Sequence, residues 1–172
     1  MNNEIECRQI VPDDQLLRQI AALYVECFNA PGKGENWTKQ SSLDYFQDRI
    51  AEGSLFYIAL DNTNVVGVIC GSDFQSSYIA NELELAYKNC FYISLVAVNK
   101  DCRRAGIADR LMDVCEQDLK KRNFKTVSAR CRSDNFPVQS LFEKFGFTQE
   151  LKYEATLGGV TCERLLLKKP IA

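Results

Sequence analysis

The run FYISLVAV, residues 91–98, constrains this chain more than any other stretch. Aromatic and aliphatic residues dominate it and no charge interrupts it, which predicts a strand that is apolar on both faces. Such a strand belongs near the centre of a sheet covered on both sides, since a half-exposed strand would alternate apolar with polar residues. It hands over through a turn containing RRAGIA (103–108) to a helix on which Ile107, Leu111, Val114, Cys115 and Leu119 form one apolar stripe. Lys120, Lys121 and Arg122 sit at its C-terminal end, where the helix dipole favours cations. A buried strand that turns directly into an amphipathic helix predicts an α/β chain.

The remaining segments fit that class. IECRQIV (5–11) predicts a first strand stopped by Pro12, after which Asp13 or Asp14 caps a helix carrying Leu16, Ile20, Leu23 and Phe28. APGKGEN (30–36) is a breaker-rich loop, and Thr38 caps KQSSLDYFQDRIAE, with Leu43, Phe46 and Ile50 on one face and Gly53 at its end. SLFYIAL (54–60) and NVVGVICG (64–71) form a hairpin pattern across a polar turn. Residues 73–89 fit either a short helix or an excursion over the top of the sheet. KTVSARC (125–131) is another strand; Pro137 opens a helix closed by Gly146, and two final strands flank LGG. The predicted order is β-α-α-β-β-β-α-β-α-β-β, in one domain over residues 1–172, a length that fills a single core.

Composition narrows the chemistry. A net charge of −2 lacks the basic face that nucleic acid requires, and mild acidity suits a cationic small molecule. Eight cysteines occur with no CxxC and no histidine, so neither zinc nor another metal is expected. Several lie in apolar runs, where a free thiol packs as a small hydrophobe. The start, MNNEIECRQIVPDD, has no apolar core and no stretch reaches membrane-spanning length, so a cytoplasmic protein without a membrane partner is expected. The missing histidine also removes a Ser-His-Asp triad, a Cys-His pair and a histidine base. Carboxylates, tyrosine, lysine, cysteine, the backbone or a bound cofactor must do any chemistry. RRAGIA is then either a basic capping turn or an anion cradle at a helix start.

LVAVNKDCRRAGIADRLM (95–112) resembles the acetyl-CoA-binding motif of the Gcn5-related N-acetyltransferases, whose core is Arg/Gln-x-x-Gly-x-Gly/Ala; here Arg103, Gly106 and Ala108 meet it. NFPVQSLFEKFGF (135–147) is similar to the family's second hallmark, an Asn opening a helix that ends in a Gly-Phe turn. The resemblance implies the GNAT fold, a mixed central sheet with flanking helices, and acetyl-CoA as co-substrate without a metal. It places the pyrophosphate on Arg103, Arg104, Ala105, Gly106, Ile107 and Ala108. The pantetheine arm is expected on the backbone of Val96, Ala97 and Val98, with Asn135 contacting it and Phe142 packing on the cofactor. The physics agrees, because a helix start offers free N–H groups and a favourable dipole, and Gly106 allows close approach.

Two positions depart from the family pattern. Phe142 stands where a tyrosine commonly protonates the departing thiolate, and Ser94 stands where a central-strand acid is common. Glu82 and Glu84 are then the candidate carboxylates for activating an amine, and Tyr92, with Tyr153 or water behind it, the candidate proton donor. On the acceptor side, Tyr24, Phe28, Glu35 and Trp37 resemble a pattern of members related to aminoglycoside acetyltransferases, with Gly32 where a tryptophan is usual. Aromatic rings beside a carboxylate suit a cationic amine. The expected activity is direct acetyl transfer to a primary amine of a small cationic molecule in a ternary complex, by a monomer or homodimer. An acyl-CoA-binding regulator with little turnover, or an acetyltransferase of protein N-termini or lysines, are the alternatives.

Overall fold

The computed structural model describes residues 4–171. A seven-stranded mixed sheet runs through it in the order β1-β2-β3-β4-β5-β7-β6. The strands are β1 (Glu6–Ile10), β2 (Leu55–Asp61), β3 (Asn64–Asp73), β4 (Cys90–Val98), β5 (Thr126–Arg132), β6 (Thr148–Leu157) and β7 (Val160–Pro170). The helices are α1 (Asp14–Phe28), α2 (Lys39–Ala51), α3 (Tyr78–Leu83), α4 (Ile107–Lys121) and α5 (Phe136–Lys144). No helix among the described residues is long and apolar enough to cross a membrane.

Local chemistry explains most helix starts. Asp13 accepts the Leu16 amide at α1, Thr38 and Ser41 form a reciprocal capping box at α2, and Asn135 accepts the Val138 amide at α5. Gly146, with φ 86°, follows α5 as its left-handed stop. One element lies outside the expected order, because residues 73–89 contain α3, preceded by a 3-10 turn at Phe74–Ser76. Six residues are too few to show a helical period. What holds α3 is tertiary: Ile79 and Ala80 bury against Phe74, Cys90 and Tyr92.

The sheet separates two layers. On one face α4 and α5 pack on Phe91, Ile93, Val127, Ala129, Leu165 and Leu167. On the other, α1 and α2 cover the β2–β4 half through Phe56, Ile58, Val68, Cys70, Leu95 and Ala97, while α3 covers the start of β4. β4 belongs to both layers, as an all-apolar strand should.

Two irregularities in β4 create the space for a site. Cys70 pairs with Leu95 but Gly71 pairs with Ile93, so Ser94 is an extra residue, a β-bulge, and its Oγ donates to Cys70 O at 3.1 Å. The bulge flips the side-chain alternation: Cys90 and Tyr92 share a face with Leu95 and Ala97. β4 and β5, the parallel pair, also part after Ile93↔Ala129. Beyond that point β4 stays with β3 as far as Val98↔Gly67, and β5 stays with β7 as far as Arg132↔Arg164. The sheet therefore opens into a V.

Candidate active site

One arm of the V leads into a cleft of about 520 Å³ between the end of β4, the start of α4 and α5. Arg104 and Gly106 both hold left-handed backbone, φ 64° and 71°, and α4 has no side-chain cap. Among the described residues, the amides of residues 104–109 donate to no protein acceptor; the first intrahelical bond is Arg110 N–H to Gly106 O at 3.0 Å. Successive amides in turns of alternating hand form a concave nest at the positive end of a helix, an anion site by geometry and by dipole. Among the described residues, nothing lies within 4 Å of where a Cβ on Gly106 would sit. Arg103 and Arg104 are exposed at the rim.

The wall of this cleft is the free edge of β4. Asn99 N–H donates to Val66 O at 2.9 Å, which makes residues 99, 97 and 95 the hydrogen-bonded partners of β3. The backbone groups of Val96 and Val98 therefore turn into the gap, and those of Ala97 turn to β3. Val98 O already accepts from Arg103 Nε at 3.3 Å. Asn135, across the gap, uses Oδ1 as the α5 cap at 3.4 Å, which leaves its amide nitrogen free of protein acceptors among the described residues.

The other arm leads into a second cavity of about 450 Å³. One side is aromatic. Tyr24 is its hub, stacked on Phe28 at 4.9 Å and met edge-on by Trp37 at 4.9 Å. Trp37 Nε1 donates to Glu35 at 2.5 Å, which fixes that carboxylate on the wall. The opposite side is cationic. Arg130, Arg132 and Arg164 extend from β5 and β7 on one sheet face. Arg130 pairs with Glu82 at 3.1 Å and lies over the Tyr78 ring at 5.0 Å. Burial raises the pKa of the hydroxyls of Tyr24, Tyr45 and Tyr92, and pushes the Cys131 thiol up to about 11. Burial likewise raises the Cys27 thiol, where the two cavities join.

Val96, Ala97, Val98, Arg103, Arg104, Gly106, Ile107, Ala108 and Asn135 all line the cleft. Ala105 is exposed on the same loop. Phe142 lines the second cavity instead, 4% exposed and edge-on to Phe147 at 4.9 Å. Tyr24, Phe28, Glu35, Trp37 and Tyr92 line that cavity too. Glu82 and Glu84 are not on its wall: Glu82 is bound to Arg130, and Glu84 ends α3 in left-handed backbone, exposed. Sequence reasoning missed Tyr45, Tyr78 and the arginines. The signal for Arg130 and Arg132 was present in SARCR, where Ser128, Arg130 and Arg132 place polar groups on one face of a buried strand.

Among the described residues no cluster of three His, Cys, Asp or Glu side chains can hold a metal ion. The family model described as "Acetyltransferase (GNAT) family" matches residues 17–147. N-alpha-acetyltransferase 30 of Schizosaccharomyces pombe is 27% identical over 113 residues, 64% of this chain and 69% of that protein. Two solved structures share the fold. The ribosomal-protein-alanine N-acetyltransferase of Brucella melitensis has a TM-score of 0.72 at 16% identity, covering 94% of this chain and 98% of its own. The yncA protein of Salmonella typhimurium, solved with its cofactor acetyl-CoA, has a TM-score of 0.71 at 14% identity, covering 96% and 94%. With the nest, the split strand pair and most of the chain inside the family match, this protein belongs to the GNAT acetyltransferases, enzymes that use acetyl-CoA.

Proposed function

We propose that this enzyme transfers the acetyl group of acetyl-CoA to a primary amine of a small molecule, by direct attack within a ternary complex. The observation that carries this reading is the shared wall. Val96, Asn135, Val138 and Leu141 line both cavities, so ligands entering from opposite sides of the sheet meet beside Val96. The free amides of residues 104–109, with Arg103 and Arg104, suit a pyrophosphate, and the open space at Gly106 leaves it room. Val96, Val98 and Asn135 offer polar groups to a pantetheine arm. Acetyl-CoA supplies the acyl thioester: the amine nitrogen bonds to its carbonyl carbon, the carbon–sulfur bond breaks, CoA leaves as the thiol, and the ammonium's surplus proton goes to solvent.

The chain's own residues position this event. The Val96 amide is the donor aimed at the gap where the carbonyl oxygen would lie. Glu35 is the one carboxylate on the acceptor wall among the described residues, and takes the ammonium's proton directly or through water. Tyr92 keeps its proton at neutral pH as any tyrosine does, and burial raises its pKa further, so it does not act as the base. Glu82 serves by holding Arg130 in place. Free thiols at every cysteine suit the reducing cytoplasm.

A small acceptor is favoured by the tight backbone contact that borders its cavity beside Leu157. A Cβ on Gly34 would come 2.0 Å from Leu157 O, so the 30–36 loop and the β6–β7 turn touch backbone to backbone. A polypeptide N-terminus is the second reading, favoured by the kinship with N-alpha-acetyltransferase 30. CoA release with small amines and with short peptides separates the two: faster turnover of peptides than of every small amine would overturn the first reading. Within it, Trp37→Ala is expected to raise the acceptor KM about tenfold, through lost aromatic contact, and leave the acetyl-CoA KM unchanged. If both constants stay put, Trp37 only packs.

A further inference from the structure

We infer that the acceptor carries a carboxylate near its amine, and that Arg164, with Arg132 beside it, receives that carboxylate. The inference rests on the acceptor cavity assigned above and specifies its occupant: a zwitterion of amino-acid size.

Arg164 is 6% exposed, lines the cavity, and its Nε is buried without a hydrogen-bond partner among the described residues. The other such nitrogen, Arg49 Nε, belongs to a guanidinium that still reaches Glu52 at 2.9 Å. Arg164 has no carboxylate within ion-pair distance among the described residues. Its sequence neighbour Glu163 points to the opposite face and pairs with Lys152 at 2.9 Å. A guanidinium held in a protein interior without an anion is unfavourable, and structures keep one where a ligand completes it.

Its position aggravates the imbalance. Arg132 lies directly across the antiparallel ladder from Arg164, and like charges placed opposite each other repel. Arg132 does have Asp134 at 2.5 Å, but that carboxylate is 61% exposed and faces solvent. An oxyanion between the two guanidiniums would relieve both, and Arg forks match a carboxylate bidentately.

Glu35 supplies the complementary half. It faces the same cavity, and its charge acts on Arg132. An ammonium beside Glu35 and Tyr24, with a carboxylate on Arg164, gives both of those charged side chains a counterion. A purely cationic acceptor would instead leave Arg164 without a counterion. A cavity of about 450 Å³, bordered at Leu157 by the tight contact with Gly34, suits a molecule of this size.

The test compares free L-amino acids with their carboxamides, and with spermidine, in CoA-release assays of the full chain. In parallel, N-acetyl amino acids and their amides are titrated calorimetrically into CoA-saturated protein. We expect acids to exceed amides by roughly ten- to a hundredfold in kcat/KM and in affinity, the range of a charge-assisted contact. Arg164→Met should collapse that ratio to near unity without changing the acetyl-CoA KM, and Arg164→Lys should restore part of it. Equal use of acids and amides, preference for spermidine, or a ratio that survives Arg164→Met overturns the inference. Turnover without discrimination keeps acetyl transfer and removes the carboxylate subsite. Discrimination in binding without turnover of any amine keeps the subsite and removes the catalytic reading. Absence of both removes both.

Discussion

Gly106→Glu is expected to weaken acetyl-CoA binding about a hundredfold or more, the loss of two or so charge-assisted contacts to an anion. Among the described residues the amides of residues 104–109 have no protein acceptor, and the space in front of the Gly106 Cα is open. A glutamate would aim its carboxylate into that space or across its mouth, repelling phosphate where the helix dipole had attracted it. Left-handed backbone at φ 71° adds strain on the order of 1 kcal/mol for any L side chain. Gly106→Ala carries the same strain without the charge and so separates the two effects. Calorimetric titration of acetyl-CoA, with thermal unfolding to verify the fold, gives the answer. Unchanged affinity in a folded Gly106→Glu protein would place the pyrophosphate elsewhere.

Phe142→Tyr is expected to raise kcat on the order of tenfold to a hundredfold, the lower part of what a general acid contributes. Phe142 borders the second cavity and packs edge-on against Phe147 at 4.9 Å. Tyrosine keeps that packing nearly isosterically and adds a hydroxyl. A thiolate leaves without protonation more readily than an alkoxide, so the native enzyme turns over without this donor and gains from it. The acetyl-CoA KM should stay constant, because a proton delivered only in the transition state does not change ground-state binding. Steady-state CoA release across pH, compared for both proteins, decides the matter. A flat or lower kcat would mean that Tyr92 already serves, or that chemistry is not rate-limiting.

The two variants probe parts of the site that differed in legibility. The cradle around Gly106 is a local object, formed from adjacent amides, a short turn and the first turn of α4, and a contiguous motif describes it. The proton-transfer groups are not local. Glu82 looked available for acid–base work because its neighbours in the chain leave it free; its partner, Arg130, lies on a strand distant in sequence. Tyr78 and Tyr45 gave no signal because what makes them cavity residues is the helix pair and the sheet edge facing them. Trp37 and Glu35 were visible together because they stand two residues apart in one loop, and in the fold they hydrogen-bond each other.

From the sequence alone follow the strand at 91–98, the glycine turn, the apolar stripe of α4 and the caps at Asp13 or Asp14, at Thr38 and at Asn135. Each depends on residues within a few positions of one another, where propensity, side-chain period and hydrogen bonding act directly. Three features came only with the tertiary structure: the bulge at Ser94, the parting of β4 from β5 after Ile93, and the meeting of Arg132 with Arg164. Alternation encodes which face a side chain takes only when one face is polar. FYISLVAV is apolar throughout, so its pattern is the same with or without an extra residue, and only pairing with Cys70 and Gly71 locates the bulge. The two arginines lie on strands joined through α5 and the β6–β7 hairpin. Their juxtaposition is a property of the register between β5 and β7, which nothing local to either strand records.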